Sequence, residues 1–210
     1  MKIGILFGKF DPLHNGHVNL AENFRDELEL DKIIIVPLYC DIQKKGYAIQ
    51  PSEHRYNMCN IAFGQRDGFE VSRMEIDREP EEYDEYEAER DISDSVHKIR
   101  EEYPDDELYF LLGGNGFLRF QDTCRWSKIT DDAIIAVSPE NWTDDSQLEA
   151  TAANLRSYGA EVMIVPIDVK EISSENVRRT VRNSDDISAM VPDGVEDYIW
   201  DNYLYYGSEE

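Results

Sequence analysis

Short apolar runs alternate with stretches of helical periodicity along this whole chain, and that alternation constrains its fold more than any other feature. Lys2–Phe7 is a continuous apolar run closed by Gly8, and Ile33–Val36 is another closed by Pro37. Leu108–Leu112, Ala133–Val137 and Val162–Val165 follow the same pattern, and Phe69–Val71 is a shorter one. A strand buried on both faces reads as such a run, without polar alternation. Between the runs, apolar residues recur every three or four positions. Val18, Leu20, Ala21, Phe24 and Leu28 predict a helix from Asn15 to Leu30, and Tyr56, Met58, Cys59 and Ala62 predict packing positions in one from Glu53 to Phe63. Further helices are expected over Asp91–Glu102, Asp145–Ser157, Ser174–Arg182 and Asp193–Tyr203, the last with Val195, Tyr198 and Ile199 on one face. The order predicts an α/β fold with a parallel sheet covered on both faces, whose ligands bind beyond the carboxyl ends of the strands.

Charge narrows the partners. The 210 residues carry 45 acidic and 21 basic side chains, a formal net charge of −24. Such a surface repels nucleic acid and anionic membranes, so neither is an expected partner. No apolar stretch approaches the roughly 20 residues of a spanning helix. The opening run meets Gly8-Lys9 before the core of a signal peptide could develop. Cys40, Cys59 and Cys124 are scattered, without metal-ligand spacing, and read as free thiols. The expectation is a cytoplasmic protein, with homo-oligomer formation left open. Glu75–Asp94 is the main compositional break. Its density of like charge predicts a solvated loop or helix surface, with a lid or partner-binding patch as the alternative.

Two segments carry chemistry. Gly8-Lys-Phe-Asp-Pro-Leu-His-Asn-Gly-His17 lies where the first strand turns into the first helix. Gly8 permits close backbone approach, Asp11-Pro12 shapes a turn, and the helix aims its unpaired N–H groups and positive dipole end at the loop. His14 and His17, three residues apart, fall on one helix face and suit a triphosphate whose charge grows as pyrophosphate leaves. Two structural histidines in a turn would be the plain alternative, and a zinc pair would need a third ligand that the sequence does not place. The second segment, Glu171-Ile-Ser-Ser-Glu-Asn-Val-Arg178, follows the last strand and opens a helix. Ser173 or Ser174 can cap it, and Arg178 one turn in adds positive charge beside its amide end.

With these residues in place, the sequence resembles the nucleotidyltransferase superfamily marked by His-x-Gly-His, whose second element is Ile-Ser-Ser-Thr-x-x-Arg. The likeness covers most of the chain and is greatest to bacterial nicotinate-nucleotide adenylyltransferases. It is supported by Glu53-His-Arg55, Tyr103–Gly113 and Val191-Pro-Asp-Gly-Val-Glu-Asp-Tyr-Ile199. Pantetheine-phosphate adenylyltransferases resemble the first loop but usually carry Thr at the position of His14. The resemblance implies a Rossmann-like doubly wound parallel sheet, with residues 1–210 as a single domain. It implies ATP as substrate with Mg²⁺, a small-molecule phosphate acceptor, and no covalent enzyme intermediate. His14, His17 and Arg178 would be catalytic. Gly8, Lys9, Phe10, Gly16, Lys45, Gly113, Asn115, Ser173 and Ser174 would bind the nucleotide, and no residue is expected to bind a metal. The implied reaction is transfer of AMP to nicotinate mononucleotide. The alternatives are adenylyl or cytidylyl transfer to nicotinamide mononucleotide or another phosphate monoester, and a nucleotide-binding protein without catalysis.

The chain departs from the pattern at several positions. Gly113-Gly114-Asn115 puts an amide where the family has a ribose-binding carboxylate. Thr123 falls where a Trp is expected to stack on the nicotinate ring, and Trp126 reads as a core residue, with a stacking platform brought in by a shifted loop as the alternative. The family's Ser-Tyr-Thr segment should lie between Asp77 and Ile92, where the acidic run stands instead, with Arg78 and Arg90 as its cations. Lys44 and Lys45 occupy the place of a His-Lys pair, Glu175 replaces the Thr of the second element, and Lys9 replaces a small or hydroxyl residue.

Overall fold

The computed structural model describes residues 1–39, 50–77, 92–122, 125–140 and 143–206. Its strands are β1 (Lys2–Gly8), β2 (Lys32–Pro37), β3 (Phe69–Val71), β4 (Glu107–Gly113), β5 (Ile134–Ser138) and β6 (Val162–Ile164). They form one six-stranded parallel sheet in the order β3-β2-β1-β4-β5-β6. That order is the doubly wound arrangement, reached by crossover helices in both directions from β1. The register pairs Ile3 with Leu108 and Ile5 with Phe110, and then Phe110 with Ile135 and Leu112 with Val137. The central strands are thus apolar on both faces, as their unbroken runs predict.

The helices are α1 (Asn15–Leu28), α2 (Ser52–Phe63), α3 (Ser93–Glu102), α4 (Gly114–Leu118), α5 (Trp126–Asp132), α6 (Asp145–Ser157), α7 (Ser174–Arg182) and α8 (Val195–Asp201). Most fall within a residue or two of the sequence expectation. α1 stops two residues early because Glu29 takes a positive φ of 53°, which no helix continues through. α4 and α5 were not anticipated: α4 is five residues with two glycines, and such short helices carry no readable period.

The chain packs as two compact units, each discontinuous in sequence: Met1–Leu6, Leu20–Ile34 and Glu79–Val169 form one, and Phe7–Asn19, Ile35–Arg78 and Lys170–Glu210 the other. β1, β2 and α1 each begin in one unit and end in the other. The first unit buries Ile3, Ile5, Phe24, Leu108, Phe110, Phe117, Ile135 and Leu155. The second buries Phe10, Leu13, Met58, Phe63, Val177, Val181, Val195 and Ile199.

Two expectations about burial need correction. Trp126 is not a core residue: it opens α5 half-buried, its ring edge-on to Tyr158 at 5.7 Å. On α2, Tyr56 is only half-buried beneath the Arg73 guanidinium, while Arg55 is fully buried beside Met58 and Cys59. Glu75, the first residue of the acidic run, is also buried. Residues 78–91 of that run lie outside the described residues, as do Lys44, Lys45, Thr123, Cys40 and Cys124. Among the described residues, no helix is long and apolar enough to cross a membrane. Cys59 is a buried free thiol whose pKa burial pushes up, so it is inert at neutral pH.

Candidate functional site

The second unit brings the two sequence motifs together. β1 ends at Gly8, and the chain turns through Phe10, which is buried with a φ of 48°, and a cis Asp11-Pro12 peptide before α1 starts at Asn15. Nothing larger than glycine fits at two positions of this turn. A Cβ on Gly8 would lie 2.7 Å from the Phe10 ring. One on Gly16 would lie 2.9 Å from the Lys170 carbonyl and 3.0 Å from His14 Nδ1.

His14 caps α1 through its backbone. Its carbonyl accepts from the N–H groups of His17 at 2.9 Å and Val18 at 3.3 Å, while its own N–H donates to His17 Nδ1 at 3.3 Å. This is a reciprocal cap in which an imidazole takes the place usually held by Glu or Gln. Because Nδ1 of His17 accepts, the ring proton sits on Nε2, which becomes a donor. The two imidazoles stack with centroids 3.6 Å apart, and Phe10 closes edge-on to His17 at 5.0 Å. Burial pushes the His14 pKa down to about 2, with the neighbouring His17 adding to the effect, and burial alone brings His17 to about 4. Both rings are neutral near pH 7, so here they act as hydrogen-bonding dipoles rather than cations. His14 Nδ1 is buried without a hydrogen-bond partner among the described residues.

α7 is fastened to the same turn. Ser173 is its N-cap, accepting from Asn176 N–H at 3.1 Å, and the Ser174 hydroxyl donates to the Pro12 carbonyl at 3.0 Å. One turn on, Arg178 Nη1 donates to the Asp11 carbonyl at 2.6 Å and lies 3.9 Å from Asp11 Oδ2. Among the described residues, Nη2 and Nε of Arg178 make no hydrogen bond within the protein. The positive ends of α1 and α7, one guanidinium with donors to spare and the exposed Lys9 therefore meet around residues 9–17. That set of groups has the charge and the donors to suit a polyanion. An open pocket of about 430 Å³, lined by Asn15, Ile61, Arg66, Val191 and Pro192 among others, touches α1 at Asn15, but neither histidine nor Arg178 lines it.

The comparisons agree with this geometry. The family described as Cytidylyltransferase-like matches residues 5–180. A protein of Corynebacterium kroppenstedtii named "Probable nicotinate-nucleotide adenylyltransferase" is 34% identical, over 99% of this chain and 92% of its own length. One of the same name from Moorella thermoacetica is 32% identical, over 97% and 91%. The chain belongs to the nicotinate-nucleotide adenylyltransferase family. Its fold is that of the Plasmodium falciparum nicotinic acid mononucleotide adenylyltransferase, solved in complexes with NaAD and with APC. The NaAD complex superposes with a TM-score of 0.74 at 18% identity, covering 97% of each chain.

Against the adenylyltransferase pattern, the remaining site residues sort as follows. Gly8, Lys9, Phe10, Gly16, Ser173 and Ser174 cluster with His14, His17 and Arg178, although the buried Phe10 ring leaves only its backbone for a ligand. Glu175 is exposed in the first turn of α7. Gly113 and Asn115 belong to the first unit, at the end of β4. A carboxylate does reach that turn, but from Glu140 after β5: Asn115 N–H donates to its Oε2 at 2.8 Å. Lys45 falls outside the described residues.

Sequence reasoning overlooked three groups beneath the loop. The Asp11 carboxylate is buried, accepting from the Tyr205 hydroxyl at 2.8 Å and from Gln50 N–H at 3.2 Å. Arg55 donates to the carbonyls of Lys9 at 2.7 Å and Gln50 at 3.0 Å. Arg55 lies in the quoted Glu-His-Arg segment, so a signal existed for it. Nothing in the sequence marks Tyr205.

Proposed function

We propose that the chain transfers AMP from ATP to nicotinate mononucleotide, giving deamido-NAD and pyrophosphate, as a single nucleotidyltransferase domain working in the cytoplasm. The observation that carries this reading is the convergence of the α1 and α7 N-termini with His14, His17 and Arg178 on one turn. The names of the full-length relatives supply the acceptor.

The acceptor's phosphate has a second pKa of about 6 and is largely ionised near neutrality, so the enzyme needs no strong general base. One of its oxygens attacks the α-phosphorus of ATP. The bond from that phosphorus to the bridging α–β oxygen breaks, and pyrophosphate departs with the electron pair. Charge accumulates on the leaving group, where the Nε2–H of His17, the free donors of Arg178 and the helix ends stabilise it. His14 stacks on His17 at 3.6 Å and holds that ring in place beside the phosphates. Among the described residues, no group of three His, Cys, Asp or Glu could hold a metal. Magnesium bound with the triphosphate would supply further positive charge to offset that of the phosphates.

A second reading keeps nucleotidyl transfer and changes the acceptor to nicotinamide mononucleotide or another phosphate monoester. Asn115 favours it, since an amide stands where the family has a carboxylate. The test is pyrophosphate release from ATP or CTP with a panel of acceptors. ATP with nicotinate mononucleotide should be the fastest pair. Turnover confined to a non-pyridine acceptor would sink the first reading, and ATP binding without turnover on any acceptor would sink both.

A further inference from the structure

Beneath the phosphate-binding turn, Tyr205 and Asp11, two side chains that the proposed reaction does not itself use, lead to Arg178, which it does use. The Tyr205 hydroxyl donates to Asp11 Oδ1 at 2.8 Å, and the other Asp11 oxygen faces Arg178 Nη1 at 3.9 Å. The same Nη1 donates to the Asp11 main-chain carbonyl at 2.6 Å, so one residue holds the guanidinium from two directions. Asp11 is 5% exposed and Tyr205 7% exposed. Such a carboxylate is costly to bury, and desolvation raises its pKa while the bonds from Tyr205 and Gln50 oppose the rise.

The backbone around this contact is unusual at both ends. Phe10, just before Asp11, has a φ of 48°, and Tyr205 has a φ of 63°. Bulky residues rarely occupy the left-handed region, where each carries backbone strain. Strain at one partner of a buried hydrogen bond and at the neighbour of the other persists only where the surroundings over-determine it, and such strain clusters at functional sites. A tail that merely needed anchoring already has Leu204, buried, with its N–H bonded to the Ile199 carbonyl at 3.0 Å.

We infer that Tyr205 is a positioning residue: through the Asp11 carboxylate it fixes the Arg178 guanidinium so that its free donors face the departing pyrophosphate. The inference rests on the phosphate role of Arg178 proposed above. Without the hydroxyl, Asp11 turns more fully onto Arg178 and draws the guanidinium away from the phosphates. Charge on the leaving group is greater in the transition state than in bound ATP, so the loss falls on kcat rather than on ATP binding.

The experiment measures pyrophosphate release from ATP and nicotinate mononucleotide, well below the melting temperature, for Tyr205→Phe, Asp11→Asn, their double variant and Arg178→Ala. Tyr205→Phe keeps the ring and removes the hydroxyl. Its kcat should fall about tenfold or more, as for a lost hydrogen bond to a charged group, while KM for ATP stays within about twofold. Asp11→Asn should lose a comparable factor, and the double variant should lose no more than the worse single one, since both cut the same chain. A Tyr205→Phe enzyme with kcat within twofold of wild type overturns the inference and makes Tyr205 a tail anchor only. Unchanged kcat in Asp11→Asn, or multiplicative losses in the double variant, would overturn it equally. If Arg178→Ala itself turns over normally, the phosphate role of Arg178 falls too. If only that variant is impaired, the proposed function stands and the positioning role is lost.

Discussion

The two units bury different chemistry. In the first, the buried polar side chains among the described residues are the hydroxyls of Ser93, Ser95 and Ser138. The second buries a carboxylate in Asp11, an imidazole in His14, a guanidinium in Arg55 and a further carboxylate in Glu75. Each of the latter costs free energy unless partnered, and two atoms, His14 Nδ1 and Arg55 Nη2, lack a partner among the described residues. The first unit therefore draws its stability from apolar burial almost alone, whereas the second gives up some of its own to bury charged and polar groups. Stability and activity should consequently respond to different residues.

The sharpest way to break that contrast is a core truncation in the first unit. Phe110→Ala empties a position that is 1% exposed on β4 and should lower unfolding free energy by about 3–5 kcal/mol, with kcat per folded molecule unchanged. Denaturant titration alongside active-site-normalised turnover checks this, and a proportionate fall in kcat would erase the distinction. The converse is His17→Ala in the second unit. Losing one preorganised donor should reduce kcat by about 10²–10³, roughly 2.7–4 kcal/mol of barrier, with little change in melting temperature. Near-normal turnover would remove His17 from the phosphate site.

Gly16→Ala falls between these extremes. Its new Cβ meets the Lys170 backbone at 2.9 Å and the His14 ring, so about 1–3 kcal/mol of stability should be lost together with activity. A stable, fully active variant would mean that the approach of residue 170 to α1 is not needed.

The effect with the least bearing on turnover is in the pH dependence of stability. The His17 pKa is about 4 when folded against 6.5 unfolded, so the unfolded chain binds more protons between those values. The stability this group contributes is fully present above pH 6.5 and is lost as pH falls through 4; His14 behaves likewise down to about 2. Relative to wild type, His17→Asn should flatten the decline between pH 6.5 and 4 by up to about 1.4 kcal/mol per pH unit. Parallel curves would show that His17 is not desolvated in solution.

Legibility in the sequence follows the same division. The strands of the first unit announce themselves because Leu108–Leu112 and Ala133–Val137 are buried on both faces and so tolerate no polar interruption. The candidate site was legible where it rests on local spacing, in His14-x-Gly16-His17 and Ser173-Ser174…Arg178, two segments that meet at one turn. What stayed hidden was made by distance along the chain. Tyr205 reaches Asp11 across 194 positions, and Arg55 ties Lys9 to Gln50. No periodicity records that an arginine on α2 will face inward while Tyr56 beside it stays half-exposed. Likewise the carboxylate missing at Asn115 arrives from Glu140, on a different loop.

The reciprocal cap at the start of α1 has a consequence for how this loop can change over time. The bond that fixes the proton of His17 on Nε2 comes from the main chain of residue 14, not from its side chain. Position 14 is thus open to revision: another side chain there, such as the threonine of the pantetheine-phosphate branch, leaves the tautomer of His17 intact. Position 17 has no such latitude, because the acceptor and the donor of the pair are two atoms of one ring.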